Sequence, residues 1–186
     1  IVTGQYNTAI GSEAMTSMSQ GLYNTAIGAR ALRNNNSSKN IAIGADALYN
    51  NSSGQGNVAI GVNAQVASTG SKNISMGSSS LFANTNGSNN IAIGEVAGDS
   101  NVNGNNNTLI GHQADVLTGS LSNATAIGAN AIVSSDHTVV IGDQDVKRWA
   151  FGLQTTGIGK ALQVGDDTTN GNGAYLTTGG TWTNGS

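Results

Sequence analysis

Asn40-Ile41-Ala42-Ile43-Gly44 is one copy of the pentapeptide that decides the fold of this 186-residue chain. Closely related pentapeptides recur along the chain, and the last two copies lack the leading Asn. Each copy ends at a corner glycine, and these are Gly11, Gly28, Gly44, Gly61, Gly77, Gly94, Gly111, Gly128 and Gly142. Successive corner glycines lie 16 or 17 residues apart until a final step of 14. A repeat of this length predicts a solenoid, in which each repeat forms one coil that stacks on the next.

The pentapeptide has the alternation of a β-strand. Ile41 and Ile43 project from one face of the strand, and Ala42 projects from the other. Both faces are apolar, which is typical of a strand buried on both sides. One thin coil has only one interior, so we expect a second chain to cover the other face. We expect the Ile face to fill the coil and the Ala face to lie at a crowded symmetry axis between chains.

Two further positions repeat with the pentapeptide. Three residues after each corner glycine the chain has a small residue, Ala in every copy except Ser80 and the last. The leading Asn has two interpretations: a ladder of stacked amides that hydrogen-bond along the fibre, or an ordinary turn residue before a strand. In the variable return stretches we expect apolar residues to close the core, namely Leu32, Leu48 with Tyr49, Leu81 with Phe82, and Val116 with Leu117.

The pentapeptides resemble the head repeats of trimeric autotransporter adhesins. The same repeat also occurs in phage tail fibres. The resemblance covers residues 4–142. It implies an all-β fold, a left-handed parallel β-roll solenoid in a homotrimeric fibre head. On this interpretation residues 1–142 form about nine coils of 14–17 residues. Ile1 lies inside a repeat, so we expect any anchor to lie upstream.

The character of the sequence changes at residue 143, and we interpret 143–186 as a small C-terminal β tip that caps the open end of the stack. Trp149 and Phe151 lie in an alternating segment that is typical of a half-buried strand. We expect Trp149, Tyr175 and Trp182 to form a ligand-binding cluster on which a sugar ring stacks. Phe151 belongs to the same aromatic cluster, and the alternative is that the cluster, Trp149 and Phe151 in particular, is the tip's own small core.

Residues 171–186 carry a second resemblance, to the segment upstream of the intramolecular chaperone in endosialidase-type phage tail spikes and fibres. In that family the chaperone trimerises the fibre and cuts itself off after a serine. The resemblance implies that Ser186 is the processing end left by this autocleavage. The alternative is that the chain was cut there by design.

Composition limits the function further. The chain has 27 Gly, no Pro, 4% aromatic and 9% charged residues, too few aromatic residues for a conventional globular core. A net charge of −3 without a basic stripe argues against a nucleic-acid partner. No Cys is present, so there is neither a disulfide nor a thiolate metal site. No apolar stretch reaches the length of a membrane span, and we expect no membrane insertion by this segment.

Motifs of enzyme and metal sites are incomplete in this sequence. Residues 99–104 match the first half of a calcium loop, but Ile110 occupies the place of its bidentate acid. His112 and His137 have no partner at metal-ligand spacing. No nucleophile has a matching base and orienting group. We therefore expect no catalytic residue, no metal and no cofactor.

These observations lead to a non-enzymatic hypothesis. We expect an extracellular adhesin segment of a bacterial surface fibre that binds a cell-surface glycan or other surface polymer through many weak contacts. One alternative is the receptor-binding segment of a bacteriophage tail fibre on a virion, and a second is a structural fibre spacer. An endoglycosidase tail spike would need paired carboxylates about 5–10 Å apart across a groove, and the scattered acids argue against it.

Overall fold

The computed structural model describes residues 4–145 as fourteen short β-strands without a helix. This part of the chain therefore contains no helix of the length and hydropathy that a membrane crossing requires. The strands, in chain order, are β1 (Thr8–Ile10), β2 (Thr25–Ile27), β3 (Asn34–Asn35), β4 (Ile41–Ile43), β5 (Asn50–Asn51), β6 (Val58–Ile60), β7 (Ala67–Ser68), β8 (Ile74–Met76), β9 (Ile91–Ile93), β10 (Thr108–Ile110), β11 (Asp115–Val116), β12 (Thr125–Ile127), β13 (Ile132–Val133) and β14 (Val139–Ile141).

The pentapeptide strands form one nine-stranded sheet in the order β1-β2-β4-β6-β8-β9-β10-β12-β14. Every pair is parallel, and the register never slips: Ala26 lies beside Ala9 on one side and Ala42 on the other. Nine strands stacked in this way form a β-solenoid of about eight turns. The prediction of an all-β parallel solenoid is confirmed for the described residues.

The return half of each coil is less regular. It contributes two smaller parallel sheets, β3-β5-β7 and β11-β13, whose strands are only two residues long. Between β7 and β11 the return half of the described chain has no strand. The return stretches therefore follow the stack set by the pentapeptides.

The expected orientation of the pentapeptide strand is wrong. Ala26, Ala42 and Ala59 are fully buried inside the coil, whereas Ile27 and Ile41 lie on the outer face and are 37% and 39% exposed. Opposite walls of a thin coil approach closely, so a methyl group fits between them and a branched side chain would overfill the space. The larger Ile side chains consequently point outward.

Leucine residues from the return half fill the remaining interior. Leu32, Leu48 and Leu81 are fully buried, and Val116 is 2% exposed, as the sequence predicts. Their predicted companions behave differently: Tyr49 is half-buried, and Phe82 and Leu117 are exposed.

These leucines have left-handed backbone conformations, and their side chains point into the coil interior. Leu48 has φ 48° and Leu81 has φ 50°, a region that costs an ordinary L-residue roughly 1–2 kcal/mol. The preceding turn also contains a left-handed residue, Asp46 with φ 59°, and is closed by a bond from the Ala47 N–H to the Gly44 carbonyl. Burial of the leucine offsets the backbone cost.

The corner glycines are required by close stacking. Gly44 has φ 131°, and a Cβ built on it would lie 2.5 Å from the carbonyl oxygen of Gly61 in the next coil. Backbone therefore approaches backbone at this corner, and any side chain would force the coils apart.

The leading asparagines form a ladder, but not one of amide to amide. The Asn57 side chain accepts a hydrogen bond from the Asn73 backbone N–H (2.9 Å) and donates one to the Gly70 carbonyl (2.9 Å). Both partners belong to the next coil. The same double bridge recurs at each leading Asn of the described coils, namely Asn7, Asn24, Asn40, Asn57, Asn73, Asn90 and Asn107. From Asn24 onward these side chains are buried, so each amide satisfies backbone groups that water does not reach.

Candidate functional site

The outer face of the nine-stranded sheet is a regular, mostly apolar surface. It consists of two columns, one from position two and one from position four of each pentapeptide. The position-two column is Thr8, Thr25, Ile41, Val58, Ile74, Ile91, Thr108, Thr125 and Val139, and the position-four column is Ile10, Ile27, Ile43, Ile60, Met76, Ile93, Ile110, Ile127 and Ile141. We call these two columns the apolar face.

Its side chains are exposed or half-buried in the single chain, and the exposed large apolar ones range from 36% for Ile127 to 64% for Val139. At about 4.8 Å per strand the face is roughly 38 Å long. The apolar face carries no charged side chain along this length. Contiguous exposed apolar surface of this kind marks an interaction site rather than the scattered exposure of ordinary proteins.

Two tyrosines precede the first described pentapeptides. The rings of Tyr6 and Tyr23 are stacked, with centroids 4.9 Å apart and planes within 5°, and both are more than half exposed. The stacking distance equals the spacing of the coils. An aromatic pair therefore continues the same coil-by-coil repetition beside the sheet.

A recess lined by both apolar and polar residues lies in the later coils, beyond the corner turn from the apolar face. It has a volume of about 270 Å³ and is lined by Val96, Asp99, Gln113, Asp115, Asn130 and Ile132. The Asp115 carboxylate accepts hydrogen bonds from the backbone N–H groups of Ser100 (3.0 Å) and Val116 (2.8 Å). Partial burial raises the pKa of Asp115, the two N–H bonds oppose that rise, and the nearby Asp99 carboxylate adds to it.

Sequence reasoning did not find this recess. In the interior of the same part of the stack, two residues depart from the repeat: Gly98 stands at the position of buried Leu48 and Leu81, and Leu109 stands where most earlier coils have Ala. A Cβ on Gly98 would lie 2.9 Å from Leu81 Cδ2 and 3.0 Å from Leu109 Cδ1. The two exceptions to the repeat therefore compensate each other in volume.

The predicted ligand-binding residues Trp149, Tyr175 and Trp182 and the predicted processing end Ser186 lie outside the described residues. The structure therefore does not test the tip hypothesis, and the ligand-binding cluster remains a prediction.

The incomplete calcium-loop motif at residues 99–104 does not place its oxygen ligands around one point. Asn101, one of its alternate oxygen residues, is fully buried in the coil interior, where its carbonyl accepts from the Asn84 amide at 3.0 Å. His137 lies 3.4 Å from the Asn123 amide. Residues 4–145 contain no group of three or more acidic, His or Cys side chains spaced to hold a metal ion.

Comparison with known proteins adds no relative from which a function can be read. No protein-family model matches the chain, and neither the curated proteins nor the solved structures give a significant match.

Proposed function

We propose that this chain is a segment of an extracellular, homotrimeric fibre that attaches to a cell-surface ligand, a glycan or another surface polymer. The observation that supports the proposal is the apolar face. A single coil buries Ala42 and Ala59 but leaves the Ile columns in water, so the unpaired face needs a partner with the same 4.8 Å periodicity. Further copies of the same chain meet that requirement.

Trimeric assembly through this face fits the resemblance to autotransporter adhesin heads, with their left-handed β-roll. Three chains would place their Ile columns around a common axis and their polar return halves outward. Three weak ligand sites on one rigid support raise the effective concentration of each for a multivalent surface. On this proposal the segment adheres without catalysis and without a cofactor.

Light scattering of the purified chain tests the assembly. We expect the mass of three chains of 18.6 kDa each. In Ile60→Asp, carboxylates would be buried together in the interface, so we expect loss of the trimer. Val62→Asp is the matched control, because Val62 is 50% exposed but lies beyond the corner glycine. A folded monomeric wild type, or equal effects of the two variants, would contradict the proposal.

A phage tail fibre on a virion is the second candidate, favoured by the chaperone-type resemblance of residues 171–186. The same trimer would then bind the receptor on a host bacterium. Binding of the labelled trimer to a panel of bacterial cells separates an attachment function from a structural spacer. A spacer would bind no cell in the panel, and removal of residues 143–186 would then leave binding by the full fibre unchanged.

A further inference from the structure

The recess has a local structural cause. In earlier coils the residue four places after the corner glycine is left-handed and points inward, as Leu48 and Leu81 do. Gly98 has no side chain at this position, and in the next two coils the position becomes extended in β11 and β13. Ile132 is 53% exposed, and Asp115 is only half-buried. A concave surface is left where the conformation changes.

The polar groups of the recess come from successive coils. Gln113 and Asn130 occupy the same turn position one coil apart, and both have left-handed backbones with φ 55° and 57°. Within the described residues, no hydrogen bond is made by the side chains of Gln113, Asn130 or Asp99. The recess therefore presents two free amides and a free carboxylate.

Asp115 is held differently. The N–H groups of Ser100 and Val116 fix its carboxylate at the wall of the recess, so its remaining lone pairs have a defined direction. Val96 and Ile132 supply apolar surface beside these polar groups. The recess thus combines directional acceptors, amides that both donate and accept, and an apolar wall.

We infer that this recess binds one ring of a neutral sugar. Sugar hydroxyls donate to carboxylates and exchange hydrogen bonds with amides, and the C–H face of the ring suits Val96 and Ile132. The volume of about 270 Å³ is just below the roughly 300–1,000 Å³ of drug-sized ligand sites, which suits one ring. The inference rests on the proposed attachment function and gives it a ligand class.

The charge of the recess sets its specificity. Asp99 and Asp115 line it, and none of its lining residues is a cation. An anionic sugar such as N-acetylneuraminate would meet two carboxylates without a compensating charge, which opposes binding. Neutral rings therefore bind in preference to acidic ones.

The test is amide chemical-shift mapping of the ¹⁵N-labelled full chain, titrated with methyl glucoside, methyl galactoside and N-acetylglucosamine, and separately with N-acetylneuraminate and glucuronate. We expect at least one neutral sugar to shift the Ser100 and Val116 amides with millimolar affinity, and the acidic sugars to leave them unmoved. No response to any neutral sugar, or an equal response to the acidic ones, overturns the inference.

Asn130→Gly is the decisive variant, because glycine accepts the left-handed backbone at this position and the variant should fold. We expect its affinity for the neutral sugar to fall at least several-fold. Asn63→Gly is the control, since Asn63 has the same turn position with φ 57° but lies outside the recess. Unchanged sugar affinity in Asn130→Gly overturns the inference. If, in addition, the wild-type trimer and Asn130→Gly bind cells equally well, the inference of sugar binding in the recess is wrong, and the proposed attachment function is not affected.

Discussion

The two halves of each coil solve the same stacking problem in different ways. The pentapeptide half pairs nine strands from Thr8 to Ile141 without a change of register. The return half pairs only two-residue strands, in separate sheets of three and two. The difference shows that one half of the coil sets the spacing and the other half adapts to it.

Three features reinforce one another in the pentapeptide half. Ala42 and its equivalents fit between the walls, Gly44 permits close backbone stacking, and Asn40 bridges to the next coil. A substitution at any of these positions disturbs contacts with two neighbouring coils. This explains why the pentapeptide recurs with so little variation.

The return half uses a looser version of the same device. The side-chain oxygens of Ser71, Ser88 and Asn105 accept backbone N–H groups from the preceding coil, at 2.9–3.0 Å. Both Ser and Asn can accept this hydrogen bond, and these side chains are only partly buried. Return stretches can therefore differ in sequence and by one residue in length without disturbing the sheet.

The largest expected contrast between the halves is that between two asparagines. Asn90→Ala leaves the Asn107 N–H and the Gly104 carbonyl buried without partners, so we expect a loss of about 2–6 kcal/mol in the free energy of unfolding, at about 1–3 kcal/mol per group. Asn103→Ala removes two exposed bonds, from the Asn86 amide and the Thr85 hydroxyl, and should change the free energy of unfolding by about 0.5 kcal/mol or less. Urea denaturation measures both, and equal losses would remove the distinction between the halves.

A second experiment asks whether the halves are coupled through volume. Leu109→Ala should cost about 2–5 kcal/mol through the cavity it creates, and Gly98→Leu about 1–3 kcal/mol through overpacking. The double variant restores the arrangement of earlier coils, since Gly98 has φ 68° and Leu81 has φ 50°. We expect the double variant to lose less unfolding free energy than the two single variants lose together, by about 1–3 kcal/mol. Strict additivity, measured by the same unfolding method, would contradict this compensation.

The smallest expected effect concerns charge in the return half. Because burial raises the pKa of Asp115 above its ordinary value of 3.8, the folded chain binds this proton more tightly than the unfolded chain does. The stability due to Asp115 is therefore greatest at low pH and declines as pH rises from about 3.8 through the raised pKa.

Asp115→Asn removes that dependence, so we expect the variant to be at least as stable as wild type at pH 7 and to lose this advantage at pH 3–4. Thermal unfolding at the two pH values, with Asp145→Asn as a control at an exposed carboxylate outside the recess, measures the change. An advantage that grows as pH falls would contradict the expected sign.

Much of the pentapeptide half could be predicted. The nine strands lie where the pentapeptides lie, and each corner glycine stands at a close approach between coils. Buried Leu32, Leu48 and Leu81 were also predicted. For the leading Asn the sequence left an amide ladder and an ordinary turn residue open. The structure has a ladder in which each side chain bridges to buried backbone groups of the next coil rather than to another amide.

The sequence alone specifies the period, the strands and the register, because a strictly spaced glycine and a repeated pentapeptide allow one way to stack. It did not determine which face of the strand lies inside. Ile41 and Ala42 are both apolar, and a period of two does not show which of the two faces is internal. Nor did it determine the recess, since its lining residues, such as Asp99, Gln113 and Asn130, come from different coils and meet only in space. Those choices belong to the tertiary structure, because the distance between the walls of the coil decides which side chain fits between them.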